Sequence, residues 1–360
     1  MAENILLGAL RRYEFYSYCS TFIKTFYDTV TQDLYGDIHW EWTYSTTNTY
    51  AQPKSWNTGL NSIANQGTIT AKNLRDSNLF FTISMNSSSY TYASDNSRGA
   101  YSKNYVLRTG LKNNGVTIIP DLYKELGAIS EVPFHTMDYN SVYSGDYQRV
   151  HTAVNVYWKW NLFISENYIF IYGEPQTNLN VAYPFRMYLG KIKAFEEEDP
   201  LIADDSVGIF SHFPHGMIDN DDELKFRTGR GYMRSSRNGT PNALYHFATS
   251  SQVPSPGVGG RFFISPFYVW HETEGARGEF HGIRTAVLRD ASKYPDGSIL
   301  DLGDERYYIF HALNQAHPAA NQQFYATNGT AYAGQPYFFD SPLLLGGGQR
   351  VLLFEIEKEV

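Results

Sequence analysis

Hydrophobic and polar positions alternate most cleanly in VHTAVNVYWKW, residues 150–160. Val150, Thr152, Val154, Val156, Trp158 and Trp160 share one face, and His151, Ala153, Asn155, Tyr157 and Lys159 the other. That period of two is the signature of a strand with one face in a core. NLFISENYIFIYG (161–173) continues as a strand, a tight turn at Glu166–Asn167 and a return strand. Aromatic and β-branched runs predict further strands at 37–45, 77–85, 186–195, 206–210, 261–270, 278–289, 304–313 and 349–359. Helical spacing is confined to two places. Leu10, Tyr13, Tyr16, Ile23, Phe26 and Val30 predict an amphipathic helix somewhere within 5–30, and DLYKELG (121–127) a single turn ending at Gly127. Residues 44–75 and 86–104 are dominated by Asn, Ser, Thr and Gly and read as long polar loops.

The pattern predicts a mainly β protein, α+β at most, with two β-rich lobes of sandwich or barrel type and long loops. The expected division is 1–213, an N-terminal β-rich domain carrying the helical segment, 214–242, a linker or assembly arm, and 243–360, a C-terminal β domain. The middle segment is polar, charged and poor in periodic apolar positions. ENYIFIYGE (166–174) and ERYYIFHAL (305–313) echo one another, each an aromatic strand after a charged turn. A tandem pair of related β modules would explain the echo, and so would chance in an aromatic-rich chain.

Composition narrows the class. The chain has 360 residues, 42% hydrophobic and 18% charged, with 29 Tyr and 23 Phe. Tyrosine supplies contact area at low rotamer cost, which suits strands and partner surfaces. The net charge of −8 and the lack of any basic run argue against nucleic acid. Cys19, the single cysteine, excludes an intramolecular disulfide and fits folding in a reducing cytoplasm. No apolar stretch approaches the length of a membrane span, and MAENILLGALRR lacks the pattern of a secretory leader.

Two clusters carry candidate chemistry. HETEGARGEFHGIR (271–284) holds two histidines and three glutamates, but the residue four after His271 is Gly275, not a second histidine. A zinc helix needs both on one face. Gly275 and Gly278 between strand-like flanks predict a charged hairpin instead. In HFPHGMIDNDDE (212–223), an EF-hand count from Asp219 puts Leu224 at the glycine position and Arg230 at the bidentate-glutamate position, so that pattern fails too. PGVGG (256–260) and LLLGGGQR (343–350) match neither phosphate-binding glycine motif. No catalytic, cofactor-binding or metal-ligating residue is predicted, and no enzyme activity. The Tyr-bearing loops at 45–58 and 89–105 would suit sugar stacking, or subunit contacts.

Three short segments carry a resemblance: GKI (190–192), RGEFHGI (277–283) and GDERYYIF (303–310), preceded by a Trp- and Thr-rich N-terminal region (42–59) and paired aromatic strands. In this order they resemble virion structural proteins of tailed bacteriophages, of the tail, neck or head–tail junction. His281 stands where many such proteins carry proline. The resemblance implies a non-enzymatic particle component, made in the host cytoplasm and located in the virion. Its partners would be copies of itself and other virion proteins, with no nucleic acid or membrane. The predicted assembly contacts are the acidic Asp219, Asp221, Asp222 and Glu223 and the basic Arg227, Arg230, Arg234 and Arg237, which head-to-tail copies would pair. The rival readings are a carbohydrate- or receptor-binding tail-tip module and a polysaccharide hydrolase.

Overall fold

The computed structural model describes residues 3–18, 21–32, 39–46, 65–76, 79–88, 104–111, 129–137, 150–152, 157–176, 185–196, 207–212, 229–234, 242–248, 262–271, 275–288, 293–311, 324–325, 331–332 and 349–356. In chain order the strands are β1 (Glu3–Leu7), β2 (Leu10–Tyr18), β3 (Trp40–Ser45), β4 (Asn65–Asn73), β5 (Phe80–Ser88), β6 (Asn104–Leu111), β7 (Ile129–Met137), β8 (Val150–Thr152), β9 (Tyr157–Ile164), β10 (Tyr168–Gln176) and β11 (Phe185–Ala194). They continue with β12 (Val207–His212), β13 (Gly229–Arg234), β14 (Asn242–Ala248), β15 (Phe262–His271), β16 (Gly275–Leu288), β17 (Ile299–Asp301), β18 (Arg306–Phe310), β19 (Phe324–Tyr325), β20 (Ala331–Tyr332) and β21 (Gln349–Glu355). The helix α1 spans Phe22–Thr31. The protein is mainly β, built on a large curled antiparallel sheet and a smaller one.

The large sheet runs β1-β2-β9-β10-β11-β12-β13-β14-β15-β16-β21-β18-β17. It takes strands from both 1–213 and 243–360, and β13 falls inside the segment 214–242. The small sheet runs β3-β4-β5-β6-β7-β8. The N-terminal helix is shorter than its spacing predicted. Residues 3–7 and 10–18 are strands, and only 22–31 is helical. In β2 the buried Arg11, Tyr13, Phe15 and Ser17 alternate, and all eight residues from Arg11 to Tyr18 pair with β9. The long-range ladder overrides the weak helical spacing of an aromatic-rich stretch. The expected polar region 44–75 contains β4, whose Thr68, Ile69, Ala71 and Asn73 are buried. The turn at 121–127 lies outside the described residues, as does most of 86–104.

Three layers result. β2, β9, β10 and β11 form the middle layer. One of its faces packs Trp158, Trp160, Leu162, Ile169 and Leu189 against α1 and the β3–β5 end of the small sheet. On α1 these contacts come from Phe22, Ile23, Phe26 and Val30. The helix contains Thr25, Thr29 and Thr31, each bonded back to the carbonyl four residues earlier. Such bonds do not favour a helix, so α1 owes its stability to this packed face. The other face packs Phe163, Phe170 and Tyr172 against β18 and β21, with Phe163 stacked on Phe354 at 3.7 Å. The two echoing segments thus face each other, Tyr172 meeting Phe310 edge-on at 5.1 Å.

The curl closes at β11. Residues 186–191 pair with β12, and 192–194 pair with β16. The Lys191 N–H donates to Asn167 O, and the Phe195 N–H donates to Arg277 O, each at 3.0 Å. Being four residues apart on one strand, these N–H groups point to the same edge. β16 therefore takes up the edge of β11 that β10 vacates at its turn. The pairings β11–β12–β13–β14–β15–β16–β11 form a closed circuit, which removes free edges from its strands.

Candidate functional site

The junction where β10 gives way to β16 gathers much of the chemistry singled out in the sequence. Gly190 has no room for a side chain: a Cβ there would lie 2.5 Å from Tyr168 Cβ and 2.8 Å from Asn167 O. Gly282 has φ +68° and presses on the Tyr168 ring, a place only glycine fills without strain. Tyr188 stacks on Phe280 at 4.1 Å and 3°. Its hydroxyl donates to Lys191 O at 2.5 Å and accepts from the His281 N–H at 3.1 Å. Burial pushes the Tyr188 phenol well above its ordinary range. It is a protonated hydrogen-bonding strut between β11 and β16. Burial first, then the cations Lys191, Lys193 and Arg284, lower the His281 imidazole to about 4, so it is neutral at pH 7. Glu279 pairs with Arg284 at 2.8 Å.

The cluster at 271–284 is a hairpin, with His271 opposite Gly275. Residues 272–274, which include two of its glutamates, lie outside the described residues. Among the described residues, no three His, Cys, Asp or Glu side chains come together as a metal-holding group. No helix is long and apolar enough to cross a membrane, again among the described residues. Of the predicted assembly contacts, Arg230 and Arg234 lie in β13, opposite Ser211 and Val207 of β12. Asp219, Asp221, Asp222, Glu223, Arg227 and Arg237 lie outside the described residues, so no pairing between the two runs is described.

A second site escaped the sequence reading. Alternation places Arg12, Glu14, Tyr16 and Tyr18 of β2 on one face with Phe163, Asn161, Lys159 and Tyr157 of β9, in direct register. Along this face the chemistry changes by steps. Arg12 is buried under the third layer. Its Nε and Nη2 donate to Asn161 Oδ1 at 3.0 and 2.9 Å, its Nη1 donates to the Tyr308 hydroxyl, and Asp296 lies 3.8 Å away. The guanidinium also sits over Phe163, Tyr308 and Phe310, 5.1–5.7 Å from the ring centroids. Next outward, Lys159 Nζ and Glu14 Oε2 pair at 3.0 Å. Beyond them the third layer ends, and Tyr16, Tyr18 and Tyr157 are exposed by 42, 46 and 41%. Tyr16 and Tyr157 lie 5.8 Å apart with planes 18° from parallel, and Tyr18 lies 5.0 Å from Tyr157.

The signal for this face was the alternation in YEFYSY, which becomes visible once the stretch is read as a strand. The tyrosine-bearing loops at 45–58 and 89–105, singled out for stacking, lie almost wholly outside the described residues. No protein-family model, curated protein or solved structure matches this chain.

Proposed function

We propose that this chain is a non-enzymatic structural component of a tailed-bacteriophage particle, of the tail, neck/connector or baseplate, assembling with copies of itself and other virion proteins. The observation that carries this reading is the convergence of the three resembling segments. Ile192 and its neighbours pair directly with Gly278–Phe280, and Gly282 seats on Tyr168 beside Gly190. Tyr308 and Phe310 join Ile192, Phe280 and Ile283 in one core cluster. Segments spread over more than a hundred residues therefore share one core cluster, which supports reading them together.

The sheet edges support the assembly part of the reading. β1 and β17 end the large sheet, and β3 and β8 end the small one. Edge strands are material from which neighbouring copies can build contacts. Quantitative mass spectrometry of purified particles tests the proposal. The chain should be present at a fixed ratio to the major capsid protein, and its absence from particles overturns the reading. Deleting 218–227 tests the arm, because this cut spares β13. The monomer should fold while incorporation into particles falls.

A further inference from the structure

We infer that the exposed tyrosine face of β2 and β9 is a glycan-binding site whose ligand is a pyranose ring. This inference stands apart from the particle reading, since it concerns the isolated monomer.

Three observations select this ligand. The first is chemical. Tyr16, Tyr18 and Tyr157 offer phenol rings to an apolar C–H face, while the Glu14 carboxylate and Lys159 ammonium lie at the inner rim. Gln176 of β10, exposed and opposite Tyr157 in register, borders the same face. A sugar ring has just this division, with C–H groups on its faces and hydroxyls around its edge. The second is preorganisation. The rings pack on one another, and their strands are pinned by the β2–β9 ladder. Little side-chain entropy remains to be lost on binding.

The third is size and charge. At 41–46% exposure, three tyrosines offer together about 250 Å². A stable protein interface needs roughly 800 Å² on each partner, so this face alone is too small for a second copy. One or two sugar rings match it. Nucleic-acid bases also stack on aromatic rings, but they need a positive groove for the backbone. Among the described residues, the cations on this face are already engaged, Lys159 with Glu14 and the buried Arg12 with Asn161 and Tyr308, in a chain of net charge −8.

The test is binding of the full chain to an array of defined oligosaccharides. Calorimetry and saturation-transfer NMR on the best array probe follow. At least one probe should bind, with saturation concentrated on the C–H protons of one ring face. Tyr157→Ala should weaken binding at least tenfold, Tyr157→Phe less than threefold, and Phe195→Ala, an exposed aromatic elsewhere, not at all. Circular dichroism of each variant checks that the fold is intact. The inference is overturned if no oligosaccharide binds, or if Tyr16→Ala/Tyr157→Ala binds as well as the parent chain. It is equally overturned if the parent chain forms oligomers that this double variant abolishes, which would assign the face to a second copy. Loss of glycan binding with normal particle incorporation would separate this site from the particle role.

Discussion

The two faces of the middle layer bury their residues by different means. Toward α1 and the small sheet the cluster is apolar, with Trp158, Trp160, Leu162, Ile164, Ile169 and Ile171 meeting Phe22, Ile23, Phe26 and Phe81, and the buried Arg11 lies at its margin opposite Ile164. Toward the third layer, aromatic packing surrounds a charged group, Arg12, satisfied by Asn161, Tyr308 and Glu14. An apolar face can slide or repack at modest cost, since dispersion has little direction. A buried guanidinium cannot, because any other register strands its donors. The polar face therefore specifies how β2 and β9 sit beneath β18, and it is the face that emerges from the core as a prepared tyrosine surface.

The largest effects should come from the cores themselves. Trp160→Ala on the first face and Phe163→Ala on the second should each cost about 3–5 kcal/mol, read by urea unfolding. Both side chains are fully buried. If only one is costly, the layers do not unfold as one cooperative unit and the comparison fails. Arg12→Met should cost about 2–4 kcal/mol, because it leaves Asn161, Tyr308 and Glu14 with lost partners. A neutral result would show that the second face is held by its aromatic packing alone. Gly190→Ala should cost about 1–3 kcal/mol, as the new methyl meets Tyr168 and the Asn167 carbonyl. Gly303→Ala, where a Cβ has nothing within 4 Å, pays only for its φ of +89° and should cost less.

A pH dependence is also expected at the junction. The folded-state pKa of His281, about 4, lies below the ordinary 6.5. The unfolded chain therefore binds this proton more readily than the folded one. The contribution to stability is complete above pH 6.5 and is lost as pH falls from there through about 4. Subtracting the unfolding curves of His281→Gln from those of the parent chain should isolate a slope in that window. A flat difference would mean that the imidazole is as well solvated as in the unfolded chain.

How much of this was legible depends on whether the partner of a residue is near in sequence. The β9–β10 hairpin was readable because its turn is local: the Ser165 N–H closes it by donating to the Tyr168 carbonyl at 3.0 Å. The switch in β9 from alternation at 157–160 to unbroken burial at 161–164 was also present in the sequence, as YWKW followed by NLFI. It marks where a one-sided strand becomes covered on both faces. The strand at 10–18 was not legible, because Leu10, Tyr13 and Tyr16 satisfy a helical spacing as readily as Tyr13 and Phe15 satisfy a strand. Nor was β4, where Thr68, Ile69, Ala71 and Asn73 of the polar NQGTITAKN are buried by neighbours from elsewhere in the chain.

The sequence by itself determined the class of the protein and most of its central strands, because β-branched and aromatic residues at period two allow little else. It also marked Gly190, Gly282 and the RGEFHGI segment as special without saying why. Only the tertiary structure decided that these meet at one junction, that Arg12 of β2 lies beneath Tyr308 of β18, and that three tyrosines share an open face. Each of those facts joins residues from strands far apart in the chain. No local propensity encodes such a pairing; it is settled only when the whole core closes around one register of the strands.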